Sequence, residues 1–349
     1  MTTLVSHDRL LAWATACLEA VGVPKEDANI VAGSLVQTSL WGVDSHGVLR
    51  LTHYLTRMTI GSIKAGAVPV VTRSGPVTAQ IDGMDGLGIV HCVQGMALAI
   101  AMAKEAGVGI VGIGGSSHCG AMGLYTRAAA RQGLIGIAMT HSSSVVVPHG
   151  GREKYFGTNP VSIAFSRGAG EPVCLDMATS QVAWNKVLNA RIENATLDPG
   201  IAVDAHGEVT TDPHCAQAGI ALGGPIYGYK GYGLAFMIEL LCGPLNAMTF
   251  GPRVNNMYEE LDKPRRIGHL VMAIDPLRFA GGATLEATTD EMIADLKGRG
   301  EILFPGEPEL REEARRRQSG IPIEPAALAD MVAWSKKLGV EPVANLEIA

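Results

Sequence analysis

Between Glu105 and Glu153 the chain carries no aspartate or glutamate, and this gap narrows the folds open to it. The stretch begins with an apolar, strand-like run at 108–113 and passes into Gly114-Gly115-Ser116-Ser117-His118-Cys119-Gly120. Gly112-x-Gly114 after a strand invites comparison with the dinucleotide fingerprint GxGxxG. There the glycines let the backbone approach a pyrophosphate, and an acidic residue about 20 positions on receives the ribose hydroxyls. The third glycine position is Ser117, and no carboxylate follows at that distance. A conventional Rossmann site is disfavoured, although the small residues still admit a ligand close to the backbone.

An apolar strand that runs into a small-residue turn presents its next polar side chain at the sheet edge, within reach of a ligand. His118 is that side chain; a turn histidine satisfied by a backbone carbonyl is the plainer alternative. Composition bounds the rest. At 349 residues the chain suggests two domains. With 47% hydrophobic and 18% charged residues it is neither disordered nor fibrous. A formal charge of -6 and the lack of a basic, aromatic-interleaved run argue against a nucleic-acid partner. Six scattered cysteines without a CxxC pair point to reduced, mainly buried thiols in a cytoplasmic protein. The polar N-terminus lacks a signal core, and no uninterrupted apolar run reaches the ~20 residues of a membrane span.

Hydrophobic periodicity predicts helices at 10–21, 27–40, 88–106 and 121–131, and a further helical stretch at 48–58. Strand character is seen at 70–82, 108–113, 134–140, 161–165, 173–175 and 267–274, with loop at 198–213. Three helices, at 286–296, 309–317 and from Pro325 to about 338, follow a shift toward charged residues. Asn159, being followed by proline, should be extended.

Four chemistries can be weighed. His46 and Arg50, four apart, would share a helix face if the chain is helical from Gly47, and a cationic pair of that kind suits a carboxylate; a structural arginine paired with an acid is the alternative. Lys230, in a glycine-rich turn before an apolar helix, suits a cofactor phosphate together with free N–H groups at the helix start. The histidines form no HExxH arrangement, so no metal is expected. Ser142–Ser144 beside His141 lack a GxSxG elbow, and adjacent His118 and Cys119 point apart, so hydrolase chemistry is disfavoured.

These stretches together carry a resemblance. Asp44-Ser45-His46-Gly47-x-x-Arg50, Ser117-His118-Cys119-Gly120, Gly157-Thr158-Asn159-Pro160, Asp176-Met177-Ala178-Thr179, Thr210-Thr211-Asp212-Pro213, Lys230-Gly231-Tyr232-Gly233 and Ile267-Gly268-His269 resemble motifs of the type 2 malate/L-lactate dehydrogenase family. The likeness runs over nearly the whole chain. It implies an α/β fold with a non-Rossmann, seven-stranded mixed sheet as cofactor domain, inserted between helical N- and C-terminal parts. The division would be 1–110, 111–285 and 286–349, the last returning to the first. It implies NAD or NADP as cofactor, a small 2-hydroxy or 2-oxo acid as substrate, and a homodimer.

By the same resemblance, His118 and His46 are the catalytic acid/base candidates. Arg50 binds the substrate carboxylate, with His46, Tyr54, Thr158 and Asn159 around the substrate. Ser142, Asp176, Met177, Ala178 and Lys230 match cofactor contacts, and Pro305, Gly306 and Glu307 the loop that closes over the cofactor. Relatives commonly carry Gly-Lys or Gly-Glu where this chain has Asn185-Lys186. Trp184 and Met257-Tyr258 echo ureidoglycolate dehydrogenase, which makes that activity, or reduction of a diketo-sugar acid or cyclic imine carboxylate, the alternative to a malate- or lactate-like substrate.

Overall fold

A computed structural model describes residues 2–168 and 170–343. Its centre is the expected seven-stranded mixed sheet. In chain order the strands are β1 (Val70–Arg73), β2 (Thr78–Asp82), β3 (Val108–Ser116), β4 (Ile135–Thr140), β5 (Val161–Phe165), β6 (Val173–Met177) and β7 (Ile267–Ile274). In space they run β1-β2-β3-β7-β4-β5-β6. Only β2 and β3 are parallel. Parallel neighbours require a crossover, and helix Gly88–Ala106 supplies it.

Side chains alternate across each strand, and both faces of this sheet are covered. From β3, Val111 and Ile113 meet Cys92 and Met96 of the crossover helix, while Ile110 on the opposite face joins Ile238 and Cys242 of helix Tyr229–Cys242. β7 repeats the pattern, with Val271 and Ala273 on the first face and Leu270 on the second. Strands buried on both faces read as nearly continuous apolar runs. A Cβ on Gly109 would stand 2.1 Å from the Ala99 carbonyl oxygen, so glycine lets the helix lie directly on β3. That helix is long and apolar enough to cross a membrane by length and composition alone. Here its apolar side, with Cys92, Met96, Ala99 and Ala103, is spent on the sheet.

A second core lies among helices. Thr3–Val5 pairs antiparallel with Ile321–Ile323, which draws the two ends of the chain together. Helices His7–Ala20, Lys25–Leu40, Leu51–Ile60 and Pro325–Leu338 share a cluster that includes Leu10, Leu35, Leu55 and Met331. Ile89 and Val90, at the start of the crossover helix, join that cluster, so this one helix braces both cores. β1, β2 and the crossover helix all precede residue 111, so the sheet draws on the segment that the sequence assigned to the N-terminal helical part. The expected loop at 198–213 contributes Ala202–Val203 and Val209–Thr210 to a small three-stranded sheet with Ala218–Gly219.

Ile113 is wholly buried between the crossover helix and β7. Ile113→Ala is expected to lower unfolding free energy by about 2–5 kcal/mol in urea titration. A change below about 1 kcal/mol would mean that this face of the sheet collapses around the cavity.

Candidate active site

β3, β4 and β7 deliver three segments to one end of the sheet. Ile267 pairs with Ser116, and His269 with Thr140, so the residues beyond Ser116, beyond Thr140 and before Ile267 emerge side by side. They line a cavity of about 300 Å³ that includes His118, His141, Ser142 and Arg265. Ser117 turns back to receive the Gly88 N–H at the start of the crossover helix, 3.0 Å away, which leaves His118 facing the cavity.

The opposite wall comes from Asp44–Arg50. Asp44 takes the Arg316 guanidinium at 2.6 and 2.9 Å, and Ser39 Oγ accepts the Val48 N–H at 2.9 Å. A Cβ on Gly47 would stand 2.1 Å from that Oγ; glycine is what lets the segment lie against helix Lys25–Leu40. Gly47 is extended and splits the segment into two short 3-10 turns, Asp44–His46 and Val48–Arg50. The helical face that the spacing of His46 and Arg50 suggested does not form, yet both side chains reach the cavity.

The rings of His46 and His118 lie 5.3 Å apart, tilted by 32°. His118 Nδ1 is 2.6 Å from the Tyr54 hydroxyl and accepts the Gly120 N–H at 3.3 Å. Burial, then His46, Arg50, Arg265 and His53, lower the His118 pKa well below its ordinary value. Burial and then Arg50 bring His46 down to about 4. Both rings are therefore neutral at neutral pH. Arg50 donates to the Ser45 carbonyl and, at 2.8 Å, to the Tyr258 hydroxyl.

Tyr258 and Arg265 sit on a loop fastened by Arg57, which is 1% exposed. Arg57 donates to the carbonyls of Asn256, Met257, Leu261 and Lys263 at 2.7–3.4 Å. Beyond the histidines the wall continues through Ser142, Thr158, Asp176, Met177, Ala178, Arg127 and Glu309. Asp176 accepts the Gly123 N–H at 2.7 Å. Burial pushes its carboxyl up to about 6, and water in the cavity it faces screens part of that effect.

Several residues singled out in the sequence lie elsewhere. Lys230 is exposed on helix Tyr229–Cys242, its ammonium 5.8 and 5.9 Å from the ring centroids of Tyr227 and Tyr229. Two of the N–H groups near the helix start, those of Gly231 and Tyr232, bond to the carbonyls of Leu222 and Gly228. Asn159 is left-handed, with φ 34°, instead of extended. Its amide accepts the Ser142 N–H at 3.2 Å and donates to Ala235 O at 3.1 Å and to Glu239 at 2.6 Å. Those bonds hold a backbone conformation that asparagine tolerates better than most residues, and they make Asn159 a buried bracket behind Ser142.

Tyr54 is buried and meets the site through His118 alone among the cavity residues that it hydrogen-bonds. Glu307 is buried as well; burial alone would raise its pKa, but Lys297 and Arg311 hold it down to about 2. Pro305 and Gly306 brace the wall from behind, their carbonyls receiving Cys174 N–H at 2.9 Å and Arg127 Nη2 at 3.3 Å.

Sequence reasoning passed over Arg265, Arg127 and Glu309. Arg265 stands two residues before the apolar strand β7, the position rule that singled out His118 after β3. Scattered spacing also hid the approach of Cys92, Cys119 and His269, whose potential ligand atoms lie within 4.8 Å of one another. The His269 nitrogens already meet Thr140 Oγ1 at 2.7 Å and Ser116 Oγ at 3.0 Å.

A family model described as malate/L-lactate dehydrogenase matches residues 5–332. The L-sulfolactate dehydrogenase of Methanothermobacter thermautotrophicus is 36% identical over 95% of both chains. The ureidoglycolate dehydrogenase (NAD(+)) of Escherichia coli K12 is 35% identical, over 86% of this chain and 87% of that one. Among solved structures, malate dehydrogenase from Pyrococcus horikoshii OT3 superposes with a TM-score of 0.89 at 36% identity, covering 98% of this chain and 97% of that one. Names within this group specify NAD in one member and NADP in another.

Burial brings His53 and His91 to about 3, and His46 and His141 to about 4. An unfolded chain protonates these rings below about 6.5, whereas the folded chain resists. Stability is thus fully present above that pH and is lost as pH falls toward 4. Asp176, whose raised pKa favours the folded state at lower pH, opposes them as one group against several. The melting temperature should fall between pH 7 and pH 5, and a flat profile would show that water reaches these rings.

Proposed function

The chain belongs to the malate/L-lactate dehydrogenase family, a family of hydroxyacid dehydrogenases, and from that premise we propose that it interconverts a small L-2-hydroxy acid and its 2-oxo acid, with NAD or NADP as cofactor. The observation that carries this reading is a pair of neutral imidazoles, 5.3 Å apart, in one cavity with an arginine. When bound, the nicotinamide takes or gives the hydride.

The cavity wall suits such a cofactor. Arg127 Nη1 and Glu309 Oε2 are buried without a hydrogen-bond partner. With Ser142 and Asp176 they offer donors and acceptors for a ligand rich in hydroxyls and amides. Met177 and Ala178 would give the apolar contact.

Arg50 would take the substrate carboxylate; its second bond, to Tyr258, holds the guanidinium in place. His118 would exchange a proton with the reacting oxygen through Nε2, since Nδ1 is engaged by Tyr54 and Gly120. The Tyr54 hydroxyl can donate to a bare Nδ1 or accept from a protonated one. With Nδ1 protonated and donating to Tyr54, Nε2 would accept the hydroxyl proton in oxidation, and the imidazolium so formed would return it in reduction. His46 would hydrogen-bond the same oxygen. A carboxylate bound at Arg50 offsets the positive field that depresses His118, and so brings the ring nearer to a working pKa.

We also read the exposed apolar residues Leu234, Met237, Leu240 and Leu241 on helix Tyr229–Cys242 as covered by a second copy of the chain. Light scattering is expected to give a dimer mass.

His118→Ala should lower kcat by about 10²–10⁴-fold in a 2-oxo acid assay read by nicotinamide absorbance, with cofactor affinity kept. Full turnover would remove His118 from the reaction. Tyr54→Phe should keep part of the activity and shift its pH profile. Arg50→Lys should cost about 10–100-fold in kcat/KM, the worth of a lost charged hydrogen bond.

A further inference from the structure

We infer that Cys92 and Cys119 are a peroxide-sensitive dithiol, whose closure to a disulfide displaces the neighbouring His118 and stops turnover until a thiol reductant reopens it. The effect on turnover rests on the dehydrogenase reading; the disulfide itself does not.

Cys92, on the crossover helix, and Cys119, just beyond β3, are 0% and 1% exposed and belong to one core cluster. Their sulfurs and a ring nitrogen of His269 lie within 4.8 Å of one another. Both His269 nitrogens are taken, by Thr140 and Ser116, so what converges here is a pair of thiols and not an open metal cage. Cys119 also lines the cavity of about 300 Å³ that holds His118. Cys92 does not line it, so a small hydroperoxide entering the cavity meets Cys119 first and leaves Cys92 behind it as the resolving thiol.

The two thiols are unlike in charge. Burial alone would raise the Cys119 pKa, but the Cys92 hydrogen bond, the His269 ring and Thr140 hold it well below the ordinary thiol value. Burial, with the bond to Cys119 adding to it, raises that of Cys92. A thiolate beside a thiol is the arrangement that reacts with a peroxide and then closes. The exposed Cys215 differs, since its Sγ bonds to the Asp212 carboxylate at 3.2 Å and is held up as a thiol by it.

In the first step the Cys119 sulfur attacks a peroxide oxygen. An S–O bond forms, the O–O bond breaks, and the departing hydroxide takes the proton that Cys119 gave up and leaves as water. The Cys92 sulfur then displaces the sulfenic hydroxyl, so that an S–S bond forms, the S–O bond breaks, and the hydroxyl leaves as a second water with the Cys92 proton. The thiols lose two electrons and the peroxide gains them. A disulfide needs its sulfurs about 2 Å apart, so one segment must move. The crossover helix is packed into both cores, whereas Cys119 is followed by Gly120 at φ 70°. The 118–120 segment therefore yields, and the Gly120 N–H bond to His118 Nδ1 moves with it.

The test uses the full chain carrying Cys215→Ser, which removes the exposed thiol. The protein is treated with hydrogen peroxide, remaining thiols are alkylated, and peptides are mapped by mass spectrometry beside a 2-oxo acid assay. A Cys92–Cys119 cross-link is expected, with activity down at least tenfold and restored by dithiothreitol. In Cys92→Ala the cross-link should vanish and dimedone should trap a sulfenic acid at Cys119. The cross-link is mapped with both cysteines in place, so the outcome stands even if Cys92→Ala folds poorly.

A dimedone adduct at Cys119 that persists with Cys92 present, or inactivation without the cross-link, overturns the inference. A cross-link that forms with activity unchanged overturns the switch as well. Turnover of no 2-oxo acid, with the cross-link still formed and reversed, defeats the dehydrogenase reading and leaves the dithiol standing.

Discussion

The insertion of β7 between β3 and β4 is the pairing on which the site depends. Its register sets Ile267 beside Ser116 and His269 beside Thr140, and this alone brings residues 118, 142 and 265 to a common end of the sheet. The chain leaves the sheet after β6, at residue 177, and returns as β7 at 267. Closing so long an excursion costs entropy, which the ladders and the apolar contacts of Val271 and Leu270 on both faces must offset. Residues 106–152 lack carboxylates, and β3 and β4 within that stretch are covered on both faces. An acid in that interior would need a partner that the fold does not provide.

Neutral imidazoles next to fixed cations define the electrostatics. His118 is held unprotonated by burial, by the neighbouring His46 ring and by the charges of Arg50 and Arg265. An anion bound at Arg50 would change this, because its charge stabilises an imidazolium. The proton-holding capacity of His118 would thereby follow occupancy of the cavity; Tyr54, as donor or acceptor, keeps its bond to Nδ1 in either state, while the Gly120 N–H bonds only to a bare Nδ1.

Strands and long helices were legible because their periodicity is set by two covered sheet faces, as in β3 and Gly88–Ala106. His118 was legible because it follows β3 at once, and Ser142, Asp176, Met177 and Ala178 because the family motifs carry them to strand ends. What escaped depends on contacts between distant segments. The proline after Asn159 argues for extended backbone, but Ser142, Ala235 and Glu239, drawn from three other segments, hold its amide and with it a left-handed φ. A glycine-rich approach to Lys230 reads as an anion-binding turn; Leu222 and Gly228 carbonyls take two of its N–H groups, those of Gly231 and Tyr232. Pairing of Lys297 and Arg311 with Glu307 is equally invisible in local sequence.

Arg57, on helix Leu51–Ile60, and Arg265, on the loop that Arg57 fastens, show how differently two buried guanidiniums can be met. Each is almost inaccessible to solvent. Arg57 meets carbonyls on the loop that bears Tyr258 and leads to Arg265. Those bonds make the loop rigid enough to keep Arg265 in place with its donors open, where a freer chain would swing the guanidinium out to water. The unfavourable burial of one arginine is therefore sustained by the well-satisfied burial of the other.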